Sequence, residues 1–134
     1  TPLYIAAQKG HEAVARLLVE EGKANVNQAR TDFRSTPLFI AAQFGHEPVA
    51  RLLIDKGADM ETCITGAGWS PLFVASWSGH TSTVALLLDK GADPNVVTTK
   101  EHLEIPLSST ALSVSELKGH SDVTALLRAI GDGE

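Results

Sequence analysis

Thr36–Gly57, TPLFIAAQFGHEPVARLLIDKG, decides how this chain is read, because the same phrase occurs four times. Thr1–Gly22 reads TPLYIAAQKGHEAVARLLVEEG, Ser70–Gly91 reads SPLFVASWSGHTSTVALLLDKG, and Thr110–Gly131 reads TALSVSELKGHSDVTALLRAIG. Each copy is predicted to form a short helix, a Gly-His corner, a longer helix and a closing Gly. A unit of this size cannot bury its own apolar face, so it must bury it against the next copy.

The local chemistry supports that division. A leading Thr or Ser can cap a helix through its side-chain oxygen, and Pro suits the first turn, where its missing N–H is not needed. Leu3, Ala6 and Ala7 share one helical face, as do Leu38, Ala41 and Ala42. The alanines imply close approach of a neighbouring backbone. Gly10, Gly45, Gly79 and Gly119 are expected to end the first helices in the left-handed conformation. The second helix is expected to bury Val14, Leu17 and Leu18, and in later copies Val49, Leu52 and Leu53, then Val84, Leu86 and Leu87, then Val123, Leu126 and Leu127. Glu12, Arg16 and Glu20, and again Glu47, Arg51 and Asp55, sit four apart on an outer face. Glu116 occupies the place held by Ala7, Ala42 and Ser76. A carboxylate is unsuited to a close helix contact, so the fourth copy is expected to be a terminal cap, with Thr124 and Arg128 adding polarity.

The leading residues fall at 1, 36, 70 and 110, and all variation in spacing lies in the connectors Lys23–Ser35, Ala58–Trp69 and Ala92–Ser109. These read as hairpin-like loops projecting from a helical stack. The expected organisation is one domain of four units, approximately 1–35, 36–69, 70–109 and 110–134.

Composition bounds the function. The formal net charge of −5 argues against nucleic acid as a partner, and there is no apolar run long enough to span a membrane. The chain opens at Thr1 without a Met or a signal peptide, and is read as a processed or partial chain. A single cysteine, Cys63, fits a reducing compartment, so an intracellular location, cytoplasmic or nuclear, is expected. No catalytic set, phosphate-binding loop or cofactor motif is found. The corner histidines His11, His46, His80 and His120 do not form a metal site: packed helices lie about 10 Å apart, whereas Zn–N bonds are about 2 Å. They are expected to bond to backbone. His102 lies in the long connector and is expected to be exposed.

Thr-Pro-Leu-x-x-Ala-Ala at Thr1–Ala7 and Thr36–Ala42, the Gly-His corners, the Leu-Leu pairs and Gly-Ala-Asp-x-Asn at Gly91–Asn95 together resemble the ankyrin repeat family. The resemblance covers essentially the whole chain in four copies. It implies an all-α solenoid of antiparallel helix pairs joined by β-hairpin-like loops, with a concave face that binds another protein or peptide and no enzymatic activity. Several features depart from the family pattern. Tyr4, Phe39, Phe73 and Ser113 stand where the family usually has His, so aromatic packing is expected to replace a Thr–His hydrogen bond. Ala111 replaces Pro in the fourth copy, every connector is long, and the first copy lacks a polar starting cap. Rival readings are therefore self-association through the first repeat, or a regulatory segment packed within a larger polypeptide.

The residues before each corner Gly should face the concave side: Gln8 and Lys9, Gln43 and Phe44, Trp77 and Ser78, Leu117 and Lys118. Trp69 lies at a hairpin base on that side, and Phe33 and Arg34 near a hairpin tip. The expected partner-binding set is Phe33, Arg34, Gln43, Phe44, Trp69, Trp77, Leu117 and Lys118, since aromatics and Arg dominate interface hot spots. Trp69 and Trp77 can also pack on one another and steady the hairpin. Val96–Ser109 is the one insertion large enough for a function of its own, through Leu103, Ile105 and Leu107, or else a tolerated surface loop.

Overall fold

The computed structural model describes residues 1–64, 66–99, 105–106 and 108–132. Eight helices follow in pairs: α1 (Pro2–Lys9) and α2 (Glu12–Glu20), α3 (Pro37–Phe44) and α4 (Glu47–Asp55), α5 (Pro71–Ser78) and α6 (Thr81–Asp89), α7 (Ala111–Lys118) and α8 (Ser121–Asp132). No β-strand occurs among the described residues.

The first helix of each pair begins and ends the same way in every unit. The hydroxyls of Thr1, Thr36, Ser70 and Thr110 accept from the backbone N–H three residues on, each at 3.1 Å. Such a cap stabilises a helix by about 1 kcal/mol. At the other end Gly10, Gly45, Gly79 and Gly119 hold φ between 72° and 78°. The following His N–H then reaches back to the carbonyl of Ala6, Ala41, Ala75 or Ser115, closing a Schellman motif.

The pairs stack in two rows. The first helices, α1, α3, α5 and α7, pack closely because alanine or serine lines their contacts, whereas α2, α4, α6 and α8 are further apart. Tighter spacing on one side bends the stack toward the first helices, which makes theirs the concave face. Tyr4, Phe39 and Phe73 are all buried, so aromatic packing fills the position where the family pattern has His. Ser113 instead completes a capping box with Thr110 and stays exposed.

The second helices correct one expectation. Val49 and Leu52 are 1% and 3% exposed, but Val14 and Leu17 are 48% and 55% exposed. These register positions pack against the unit before, as α4 does on α2, and in the first described unit they are exposed, as is Ile5 on α1. Leu3 is buried all the same. In the third unit Thr83 takes the register of Val49, and Val84 that of Ala50; both are buried. At the other end Glu116 pairs with Arg128 at 3.0 Å, giving the last unit a polar outer face.

The connectors interlock. Asn27 Oδ1 accepts from the Asp59 N–H at 2.8 Å, and Glu61 Oε1 accepts from the Asp93 N–H at 2.9 Å, one unit on in each case. On the convex side Lys56 pairs with Glu20 and Lys90 with Asp55 across unit boundaries. In the long connector Ile105 is buried, and the Thr98 and Ser109 hydroxyls both donate to the Pro106 carbonyl. Ile105 is therefore not available to a binding surface, one of the two alternatives for this connector; it anchors the described part of it. Leu103, Leu107 and His102 lie outside the described residues.

Candidate functional site

The last turn of each first helix carries two neighbouring register positions: Gln8, Gln43, Trp77 and Leu117 in one rung, Lys9, Phe44, Ser78 and Lys118 in the other. Their backbone is held from behind. His46 Nε2 lies 2.9 Å from the Gln8 carbonyl, His80 Nε2 3.0 Å from that of Gln43, and His120 Nε2 3.0 Å from that of Trp77. A carbonyl only accepts, so in each case Nε2–H donates. Three of the four corner histidines thus bond to backbone as expected. His11 is exposed and makes no such bond among the described residues. No cluster of three or more metal-ligating side chains occurs among those residues.

Lys9, Phe44, Leu117 and Lys118 are exposed on these rungs, and Gln8, Gln43, Trp77 and Ser78 are half-buried. Phe44 is 48% and Leu117 56% exposed. Gln43 is half-buried, and Lys118 is exposed with its ammonium 5.5 Å from the centre of the Trp77 ring. Trp77 is half-buried and packs against Trp69 at 5.3 Å between centroids. Trp69 itself is only 5% exposed, held also by Phe73 at 5.1 Å. It lies beneath the patch and supports Trp77, and is not among the side chains a partner would touch. Its indole is drawn inward because the hairpin base folds onto α5, where Phe73 and Trp77 offer two ring faces.

The hairpin tip before α3 is ordered by one carboxylate. Asp32 accepts from the Phe33 N–H at 2.8 Å and from Arg30 at 2.7 and 3.1 Å. The Phe33 N–H first, then the Arg30 guanidinium, hold the Asp32 carboxyl below the usual carboxylate range. Arg30 in turn lies 5.4 Å over the Tyr4 ring, and Tyr4 shares a 3.2 Å hydrogen bond with Ser35. Phe33 is left 63% exposed, and Arg34 is exposed beside it in the left-handed region at φ 57°. Sequence reasoning missed Arg30 and Asp32; their spacing of two across a tight turn was the available signal.

Cys63 is half-buried, and its thiol is pushed up by burial and then by the nearby carboxylates of Glu61 and Asp59. That environment disfavours the reactive thiolate. No helix among the described residues is long and apolar enough to cross a membrane.

A family model described as ankyrin repeats, in three copies, matches residues 3–98. The fourth unit lies beyond the match, although α7 and α8 repeat the cap, the left-handed Gly and the corner His bond. No curated protein matches the chain.

Proposed function

Because this chain belongs to the ankyrin repeat family, whose members are generally protein-interaction modules and typically non-catalytic, we propose that it recognises another protein through its concave face. The recognition set is Phe33, Arg34, Gln43, Phe44, Trp77, Leu117 and Lys118, with Trp69 as the support behind Trp77. The observation that carries this reading is the exposure of Phe44 and Leu117 on the last turns of first helices, with Phe33 at the hairpin tip before α3, where the carbonyls of Gln8, Gln43 and Trp77 are pinned by hydrogen bonds between units. An isolated exposed leucine needs no explanation, but large apolar groups recurring on the first helices and the hairpin before α3 invite one. A preorganised face also loses little conformational entropy on binding.

Pull-down of native chain against a Phe44→Ala/Leu117→Ala double variant tests the reading. Both side chains are exposed, so the helical circular dichroism should persist while captured proteins are lost. The same proteins retained by the variant would remove the patch from consideration.

A second reading has its own observation. Ile5, Val14 and Leu17 are exposed on the first unit at positions that the second and third units bury, apolar groups that a second copy of the chain could cover. Light scattering should then show a concentration-dependent dimer that Val14→Glu abolishes; a monomer at all concentrations would discard it.

A further inference from the structure

The recognition strip has a charge bias opposite to that of the whole chain, and this bias, which rests on the reading above, points to the chemistry of the partner. The chain carries a net charge of −5. Yet the first helices hold a single carboxylate, Glu116, and it is taken by Arg128. Among the described residues the other carboxylates lie on the second helices, at Glu12, Glu20, Glu47, Asp55, Asp89, Asp122 and Asp132, and in the connectors, at Glu21, Asp32, Asp59, Glu61 and Asp93.

The cations divide in the same way. On the convex side they are consumed locally: Arg16 by Glu12 and Glu20, Arg51 by Glu47, Lys56 by Glu20 and Lys90 by Asp55. Arg30 is consumed by Asp32. Among the described residues, Lys9, Lys23, Arg34 and Lys118 form no ion pair with a carboxylate. Three of these four belong to the concave strip or its hairpin tip. None of them is held by a carboxylate, so each can take an external carboxylate without breaking an ion pair; Lys118, already over the Trp77 ring, would do so beside an apolar surface.

Lys9 and Lys118 stand at the same register at opposite ends of the strip, three unit steps apart. At about 10 Å per step the strip is about 30 Å long, the reach of roughly nine extended residues. Between the two ammonium groups lie Phe44 and Trp77, with Leu117 beside Lys118. We propose that the strip binds an extended acidic peptide segment carrying bulky apolar side chains. Its carboxylates meet Lys9, Arg34 and Lys118, and its apolar groups rest on Phe44, Trp77 and Leu117.

The test is selection of random displayed 12-residue peptides on the immobilised native chain, followed by fluorescence anisotropy of the enriched sequences. Enriched peptides should combine Asp or Glu with aromatic or aliphatic residues. Their affinity should fall about tenfold in a Lys9→Gln/Lys118→Gln variant, fall with added salt, and stay unchanged in Lys23→Gln, whose cation lies outside the strip. Enrichment of neutral or basic peptides that still depend on Phe44 and Leu117 would overturn the acidic partner and leave the recognition surface standing. No enrichment at all would overturn both. A single-stranded oligonucleotide that displaced the peptides and bound more tightly would overturn the inference in favour of nucleic acid.

Discussion

The imidazole of His46 reaches across a unit boundary to the carbonyl of Gln8, 2.9 Å from Nε2, while its Nδ1 side lies against Gly10, where a Cβ would come within 2.6 Å. The same pairing recurs at His80 with Gln43 and Gly45, and at His120 with Trp77 and Gly79. One residue type therefore fastens each unit to the one before and fixes the backbone beneath the recognition strip. His80→Ala should remove a hydrogen bond and open a gap between units, costing about 1–2 kcal/mol. His11→Ala, exposed and without that bond, should cost close to nothing. Urea denaturation of the two variants checks this, and equal midpoints would refute the fastening role.

The corner glycines separate two causes that usually occur together. Gly45 and Gly119 have nearly the same φ, 72° and 75°, so alanine pays a similar left-handed penalty at either, about 1 kcal/mol. At Gly45 the new Cβ would also fall 2.5 Å from the His80 ring, whereas at Gly119 nothing among the described residues lies within 4 Å. Gly45→Ala should therefore destabilise the chain by clearly more than Gly119→Ala. Similar losses in thermal unfolding would show that backbone strain alone decides these positions.

Thr83 marks a local flaw in an otherwise regular register. Its hydroxyl is buried without a hydrogen-bond partner among the described residues, where the second and fourth units place Val49 and Val123. Valine has the same shape and no polar atom to strand. Thr83→Val should stabilise by about 1 kcal/mol, read as a higher urea midpoint with unchanged m-value. A loss of stability would show that the hydroxyl is satisfied in solution.

Much of this was legible in the residues because the fold is a period. Caps, corner glycines and Leu-Leu pairs each follow from local rules and recur in phase, so agreement among copies corrects a weak signal in any one of them. The exposure of Val14 and Leu17 was not legible locally, since their neighbours match those of the buried Val49 and Leu52; burial there is set by what lies across the unit boundary. Trp69 was misplaced for a related reason. A residue preceding a helix cap can point outward or inward, and only the rings of Phe73 and Trp77 decide which. Within the insertion the burial of Ile105 was not legible, because the other connectors offer no equivalent position to compare.

Acid should loosen the hairpin tip through Asp32. Its carboxyl titrates below the ordinary value of about 3.9, because its charged form is bonded to the Phe33 N–H and Arg30. A depressed folded-state pKa means that the contribution to order is present above the ordinary value and is lost as pH falls through the folded one. The Phe33 amide resonance should therefore shift with a midpoint below the carboxylate reference, and Asp32→Ala should abolish the step. A midpoint at or above the reference would contradict the arrangement.

Arg34 separates binding from stability. It sits at φ 57°, and the equivalent place in the next hairpin is Gly68 at 72°. Glycine relieves the left-handed strain, about 1 kcal/mol, but loses a similar amount through the freer unfolded chain. Arg34→Gly should thus leave thermal stability nearly unchanged. It also removes one of the few cations free to meet an external carboxylate. Peptides selected on the native chain should bind the variant several-fold more weakly, with the loss shrinking as salt is raised. A weakening that is independent of salt would assign Arg34 to shape, and an unchanged affinity would take the hairpin tip out of the recognition surface.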